Sequence, residues 1–180
     1  MTLRLLGISG SLRQDSTNTK LMREAMRLFG EAEAEVGDLR LPLYDGDLEA
    51  AEGVPAEVVK LADQMRAADA IVIATPEYNK APPGVLKNAL DWVSRTKPMP
   101  MGGTPVAIMS AAAGRAGGER TQFALRLMLA AFNPRLLQGP EVMIAASHDA
   151  FDEGGALKDD FARGLVEKLM AALRAEADRS

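Results

Sequence analysis

Three short stretches hold most of the residues in this chain that can do chemistry on a ligand. The first, SGSLRQDSTN, gathers the hydroxyls of Ser9, Ser11, Ser16 and Thr17, the amide of Asn18 and the guanidinium of Arg13 ahead of a helical pattern. Free N–H groups and the dipole at a helix start favour an anion, so hydroxyls and a guanidinium there make a phosphate cup. Its composition also selects among phosphates. A GxGxxG loop brings backbone against a bridging pyrophosphate, whereas a terminal monoester exposes more oxygens and rewards side-chain donors. Neither GxGxxG nor GxxxxGK[ST] occurs in the chain.

The second stretch, TPEYNKAPPG, runs directly off an apolar segment, so Pro76, Glu77, Tyr78 and Asn79 leave the core together and Pro82 and Pro83 stiffen the exit. A rigid loop presents backbone N–H and C=O groups at fixed positions, which suits the polar edge of a flat heterocycle. The third, SAAAGRAGG, is built from small residues, so backbone from Ala111 onward can approach a planar ligand without side chains intervening. Arg115 and Arg120 can meet a nucleotide phosphate there, or simply be solvated. Each stretch also has a plainer reading: a well-capped turn, a strand-ending turn covered by Tyr78, and a flexible connector.

Other chemistries are excluded or disfavoured by composition. The chain has no cysteine, which removes disulfides, iron–sulfur clusters and thiolate nucleophiles together, so redox chemistry must come from a bound cofactor. The one histidine, His148, lies outside the three stretches and reads as a surface residue in a turn. No metal site and no catalytic side chain are assigned. A net charge of -4 argues against a nucleic-acid partner. No apolar run approaches the roughly 20 residues needed to cross a bilayer, and the N-terminus lacks a signal peptide's features, so a cytoplasmic location is expected.

The elements that must position the three stretches alternate between strand and helix. Leu3 to Ile8 reads as a strand buried on both faces, followed by a helix with Leu21, Met22, Ala25, Leu28 and Phe29 at helical spacing. Residues 33–37 supply a second strand, and LRLPLYDGDLEAAEGVP reads as an irregular surface excursion. A helix from about Pro55 to Ala68 turns Val58, Leu61 and Met65 inward. Ala70 to Ala74 is the third strand, and the next helix opens near Pro83 with Val85, Ala89, Trp92 and Val93 on its apolar face. Packing and dimer contact are expected to share that face. Pro105 to Met109 is the fourth strand, followed by a helix holding Phe123, Leu127 and Ala131, and residues near Val142 to Ala145 form the fifth. In the C-terminal helix Leu157, Phe161, Leu165, Leu169 and Leu173 recur every fourth residue.

The pattern predicts one α/β domain over residues 1–180, a doubly wound, five-stranded parallel sheet. In the flavodoxin-like order 2-1-3-4-5, strands one, three and four are neighbours, and ligands bind beyond their carboxyl ends. The three stretches would then converge on one crevice.

Taken together, GISGSLRQDSTNTKL, LPLYDGD, TPEYNKAPPGVLKNALDWVSR and GRAGGERTQ resemble the NADPH-dependent FMN reductase family, which includes bacterial quinone, chromate and azo reductases. The resemblance covers most of the chain. It implies a flavodoxin-like fold, non-covalent FMN, NADPH or NADH as hydride donor, a small acceptor such as a quinone or free flavin, and homodimers or homotetramers. It further implies that Ser11, Arg13, Ser16, Thr17 and Asn18 hold the FMN phosphate with Leu12 contributing backbone, and that Pro76, Glu77, Tyr78 and Asn79 line the isoalloxazine. Ala111 and its neighbours would approach the other edge of the ring. Lys80, Ala81, Ala112 and Ala113 depart from common family residues, which bears on substrate preference. A flavodoxin-type electron carrier is the alternative, although carriers are usually more acidic and richer in aromatic rings. A flavin-free regulatory protein would require the cup to have lost FMN.

Overall fold

The computed structural model describes residues 2–179. In chain order its elements are β1 (Arg4–Ser9), α1 (Thr17–Phe29), β2 (Glu33–Gly37), α2 (Gly46–Glu52), α3 (Ala56–Ala67), β3 (Ala70–Thr75), α4 (Gly84–Val93), β4 (Pro105–Ala111), α5 (Glu119–Leu129), β5 (Arg135–Leu136), β6 (Val142–Ile144) and α6 (Asp160–Ala177). The strands form one parallel sheet in the order β2-β1-β3-β4-β5, with β6 also pairing with β4. This is the flavodoxin-like order expected from the strand–helix alternation.

Side-chain alternation along the central strands explains the layers. Leu6, Ile8, Ile71, Ile73, Val106 and Ile108 face one way and pack with Val58, Leu61 and Met65 of α3, Leu86 and Trp92 of α4, and Leu125 of α5. Leu5, Val72, Ala74, Ala107 and Met109 face the other way, against Leu21, Met22 and Phe29 of α1 and Val166, Leu169 and Leu173 of α6. Both faces being covered, β3 and β4 are buried at every residue, so they read as continuous apolar runs.

Four local readings need correction. The fifth lane of the sheet holds two short strands: β5 pairs with the start of β4 at Pro105 and Val106, and β6 with its end at Met109 to Ala111. Pro140 lies between them and has no N–H to donate to a ladder. The excursion before Pro55 contains α2, whose Asp45 cap accepts from the N–H groups of Asp47 and Leu48.

On α5, Phe123 and Leu127 are 56% and 79% exposed, and the buried face is Thr121, Gln122, Leu125 and Leu129. Gln122 sets that rotation by donating from Nε2 to Ser110 Oγ at 2.8 Å and to the Val142 carbonyl at 2.7 Å. On α6 a four-residue repeat drifts about 40° per step around a helix of 3.6 residues per turn. Phe161 is therefore 74% exposed and the buried stripe is Val166, Leu169, Met170, Leu173 and Ala177, while Leu157 lies before the Asp159 cap that starts the helix.

Trp92 is fully buried, and its indole N–H donates to the Pro42 carbonyl at 2.8 Å. It anchors the LPLYDGD segment from beneath and takes no part in an exposed face. Asn88 does the same from the next turn, donating to Pro42 O at 2.9 Å and accepting from Tyr44 N at 2.9 Å.

Candidate functional site

Register places the three chemical stretches side by side. Ser9 pairs with Ala74, and Thr75 with Ser110, so the chain leaves β1, β3 and β4 at one level. β1 has β2 on one side and β3 on the other, and at this reversal a doubly wound sheet opens a crevice.

The loop after β1 starts at Gly10, whose N–H donates to Ala74 O at 2.8 Å. A Cβ on Gly10 would lie 2.6 Å from Thr75 Oγ1, so glycine is required where the two strand ends converge. Ser16 caps α1, its Oγ accepting from Asn18 N at 3.2 Å and Thr19 N at 3.3 Å. Ser9 Oγ and Thr19 Oγ1 are hydrogen-bonded at 2.8 Å, and Ser11 Oγ accepts from Arg13 N at 3.3 Å. Arg13 is exposed, and its guanidinium makes no hydrogen bond or ion pair among the described residues.

Asn18 has a different local role from its neighbours. It is 2% exposed, and its amide bridges to the backbone of Ala111: Nδ2 donates to Ala111 O at 2.8 Å, and Ala111 N donates to Oδ1 at 2.9 Å. Both ends of the side chain are thus engaged in tying the first turn of α1 to the end of β4.

The loop after β3 turns sharply. Tyr78 and Ala81 exchange backbone hydrogen bonds of 3.0 and 3.1 Å around Asn79 at φ 52° and Lys80 at φ 67°. Two consecutive left-handed residues define a type I′ turn, easy for Asn and strained for Lys. Glu77 is held toward α5, accepting from Arg120 N at 3.1 Å with the Arg120 guanidinium 3.8 Å away. A carboxylate at that helix start offsets the dipole. Thr121 Oγ1 donates to Pro76 O at 3.1 Å, so this loop is braced against α5 at two points.

The loop after β4 is pinned by Ser110 Oγ donating to Gly117 O at 2.7 Å. Gly118 sits at φ 92°, and a Cβ there would lie 2.8 Å from Ser110 Cβ, so the small residues permit a close fold-back of the loop on its own strand.

These loops enclose a crevice of about 470 Å³. Ser11, Arg13, Ser16, Thr17 and Asn18 line it from the first loop, Pro76, Glu77 and Tyr78 from the second, and Ala111 from the third. An adjoining groove of about 580 Å³ shares Ser11, Arg13 and Tyr78 with it and adds Leu12, Leu43 and Val85. Of the residues expected to hold FMN, Asn79 alone lines neither space and serves as a turn position, and Ser9, Arg115 and Arg120, also singled out in the sequence, line neither. The sequence reading missed Lys20, one turn into α1, and Leu43, which the LPLYDGD segment carries to the groove. It also missed Ser147 and set aside His148, which both reach the crevice from the loop after β6. Periodicity could have flagged Lys20 as lying beside Ser16 and Thr17 on one helix face, but no local signal marks the others. Next to His148, the Asp149 carboxyl lies below the usual carboxylate range, chiefly because Lys158 Nζ donates to it at 2.7 Å.

Residues 3–149, including all three loops, match the NADPH-dependent FMN reductase family. The chain belongs to this family. Among its relatives, the NAD(P)H-dependent FMN reductase of Pseudomonas aeruginosa is 45% identical over 174 residues, covering 96% of this chain and 94% of that one. The quinone reductase of Escherichia coli is 42% identical over 145 residues, covering 78% and 77%. Among solved structures, FerB, a flavoenzyme NAD(P)H:(acceptor) oxidoreductase from Paracoccus denitrificans, superposes with a TM-score of 0.88 at 30% identity over 99% of this chain and 98% of that one. In this FMN reductase the matched segment closes at Asp149, so it takes in the loop bearing Ser147 and His148 as well.

Proposed function

We propose that this FMN reductase takes hydride from NADPH or NADH and delivers electrons to a small acceptor such as a quinone or free flavin. The observation that carries the reading is the continuity of two unlike spaces through Ser11, Arg13 and Tyr78. One end offers hydroxyls and a guanidinium at a helix start, the other Leu12, Leu43 and Val85 beside Tyr78. That division fits a molecule with a terminal phosphate at one end and a flat, largely apolar ring at the other, which is the chemistry of FMN. The names of the P. aeruginosa, E. coli and P. denitrificans relatives point to the same donors and acceptors.

In this reading Ser11, Arg13, Ser16 and Thr17 bind the phosphate with the backbone of Leu12, and Asn18 positions Ala111. Pro76, Glu77 and Tyr78, shaped by the turn at Asn79, form the rigid wall along the part of the ring inside the crevice, Tyr78 stands where the crevice meets the apolar groove, and Ala111 bounds the ring's other edge. FMN, when bound, supplies the hydride and electron chemistry. The protein supplies position: the Thr121–Pro76 and Glu77–Arg120 contacts keep the wall from yielding, and the small residues from Ala111 to Gly118 leave room for a nicotinamide or a quinone to stack. Phe123 and Leu127 on α5 are the kind of exposed apolar residues that a homodimer or homotetramer would cover. No helix among the described residues is long and apolar enough to cross a membrane, and the proposed location is cytoplasmic.

Two measurements test this. The purified protein should be yellow and release FMN, not FAD, on denaturation; a colourless protein that cannot be reconstituted with FMN overturns the assignment. Rapid mixing with NADPH or NADH should then abolish the yellow absorbance, a quinone should restore it, and steady-state kinetics should show parallel-line ping-pong patterns. If neither nicotinamide nucleotide has this effect while a separate reductase protein does, the chain is an electron carrier of the flavodoxin type.

A further inference from the structure

The loop after β6 reaches the phosphate end of the crevice although no phosphate-binding pattern marks it. It is held there by hydrogen bonds on both sides. Ala112 N donates to Ile144 O at 3.0 Å, Ser147 N donates to Ala112 O at 3.1 Å, and Thr17 Oγ1 donates to Ser147 Oγ at 3.3 Å. Ser147 is 6% exposed and is thereby fixed against the first turn of α1. The next residue, His148, lines the same crevice as Arg13, Ser16 and Thr17, is exposed, and its ring makes no hydrogen bond or ion pair among the described residues.

We propose that His148, in its protonated form, is a second cation for the phosphate of FMN, joining Arg13 from the opposite end of the sequence. The inference rests on the placement of the FMN phosphate at this end of the crevice. The charges around His148 permit it. From the first loop and α1 come Arg13, Asp15 and Lys20, and from the loop after β3 come Glu77 and Tyr78. Glu77 is engaged with Arg120, and Asp149, beside His148 in its own loop, with Lys158. Of the nearby carboxylates, Asp15 alone makes no ion pair among the described residues, and it shares the crevice with two cations, Arg13 and Lys20.

A pH signature follows. An imidazole ordinarily titrates near 6.5 and a phosphomonoester takes its second charge near pH 6, so the two opposite charges coexist best at about pH 6–6.5. An ordinary imidazole carries little charge above about pH 8, so a contact that depends on a cation fades there. A partly exposed charge pair contributes up to about fivefold in affinity.

The test compares apo-protein with its His148→Gln variant in fluorescence titrations with FMN at pH 6.0 and pH 8.5, with riboflavin as the phosphate-free control. The expected result is FMN binding weakened about threefold to fivefold at pH 6.0, unchanged at pH 8.5, and riboflavin binding unchanged at both. Equal FMN affinity at pH 6.0, an equal loss at both pH values, or a matching loss for riboflavin overturns the proposal. Because His148 is the chain's one histidine, its ring proton resonances are unambiguous once any purification tag is removed. Its titration midpoint should move to higher pH on loading with FMN, since linkage is reciprocal; an unmoved midpoint refutes the contact independently of the variant. Arg13→Ala separates the two levels of inference. If it weakens FMN binding and His148→Gln does not, only the role of His148 fails; if neither variant has an effect, the placement of the phosphate fails.

Discussion

Replacing Asn18 by alanine should be a stability lesion first and a binding lesion second. Asn18 is 2% exposed and Ala111 is 1% exposed, and the two hydrogen bonds between them, at 2.8 and 2.9 Å, join the start of α1 to the end of β4. Truncation leaves the Ala111 N–H and C=O, buried beside the crevice, without this partner. Each orphaned buried group costs about 1–3 kcal/mol, and partial relaxation around the vacated amide brings the pair to about 2–4 kcal/mol. For a chain of this size that corresponds to a fall in Tm of about 5–15 °C. Circular dichroism melts of the apo-protein and FMN titrations of the same samples read the two effects separately. Asn18→Asp should also destabilise, since it keeps an acceptor for Ala111 N–H but sets a carboxylate against the Ala111 carbonyl. An Asn18→Ala variant that melts within about 2 °C of the parent while losing tenfold or more in FMN affinity would refute the reasoning and make Asn18 a direct ligand.

Gly10→Ala should destabilise by about 1–3 kcal/mol, because its Cβ would lie 2.6 Å from the hydroxyl of fully buried Thr75; an unchanged denaturation midpoint would show that the strand ends can part. Lys80→Gly should stabilise by up to about 1 kcal/mol, since Lys80 holds φ 67° in a tight turn and glycine does so without strain; a loss of stability in urea unfolding would mean the lysine side chain has a compensating contact. The Asp149 carboxyl, lowered mainly by its hydrogen bond from Lys158, contributes stability that is present above the ordinary carboxylate range and is lost as pH falls through its folded value. The Tm difference between parent and Lys158→Ala should therefore be small at pH 7, where the pair is exposed, and shrink toward zero in acid. A difference that grows as pH falls contradicts this.

The sheet and its crevice were legible in the sequence because both depend on local pattern. Ala70 to Ala74 can be apolar throughout only if both faces of the strand are covered, and covered parallel strands require helical crossovers that bring their carboxyl ends to one side. The hydroxyl-rich first loop, the proline-stiffened second and the small-residue third each carry their chemistry in consecutive residues, and register alone aligns them. Rotation of a helix about its own axis was not legible. Phe123 and Leu127 make as good an apolar spacing on α5 as Leu125 and Leu129, and the choice fell to buried Gln122, whose partners Ser110 and Val142 are distant in sequence. The division of labour inside the first loop was hidden for the same reason. Asn18 has the residue type of a ligand donor, yet its amide is matched to a backbone that only the third strand crossover brings within 3 Å. His148 reads as a turn residue in isolation, and the hydrogen bond from Thr17 to its neighbour Ser147 brings it to the crevice. Local sequence thus determined which backbone segments could meet at the crevice, through propensity and spacing; tertiary structure decided which side chains line it and which hold the loops, because hydrogen-bond partners far apart in sequence meet only after the sheet has formed.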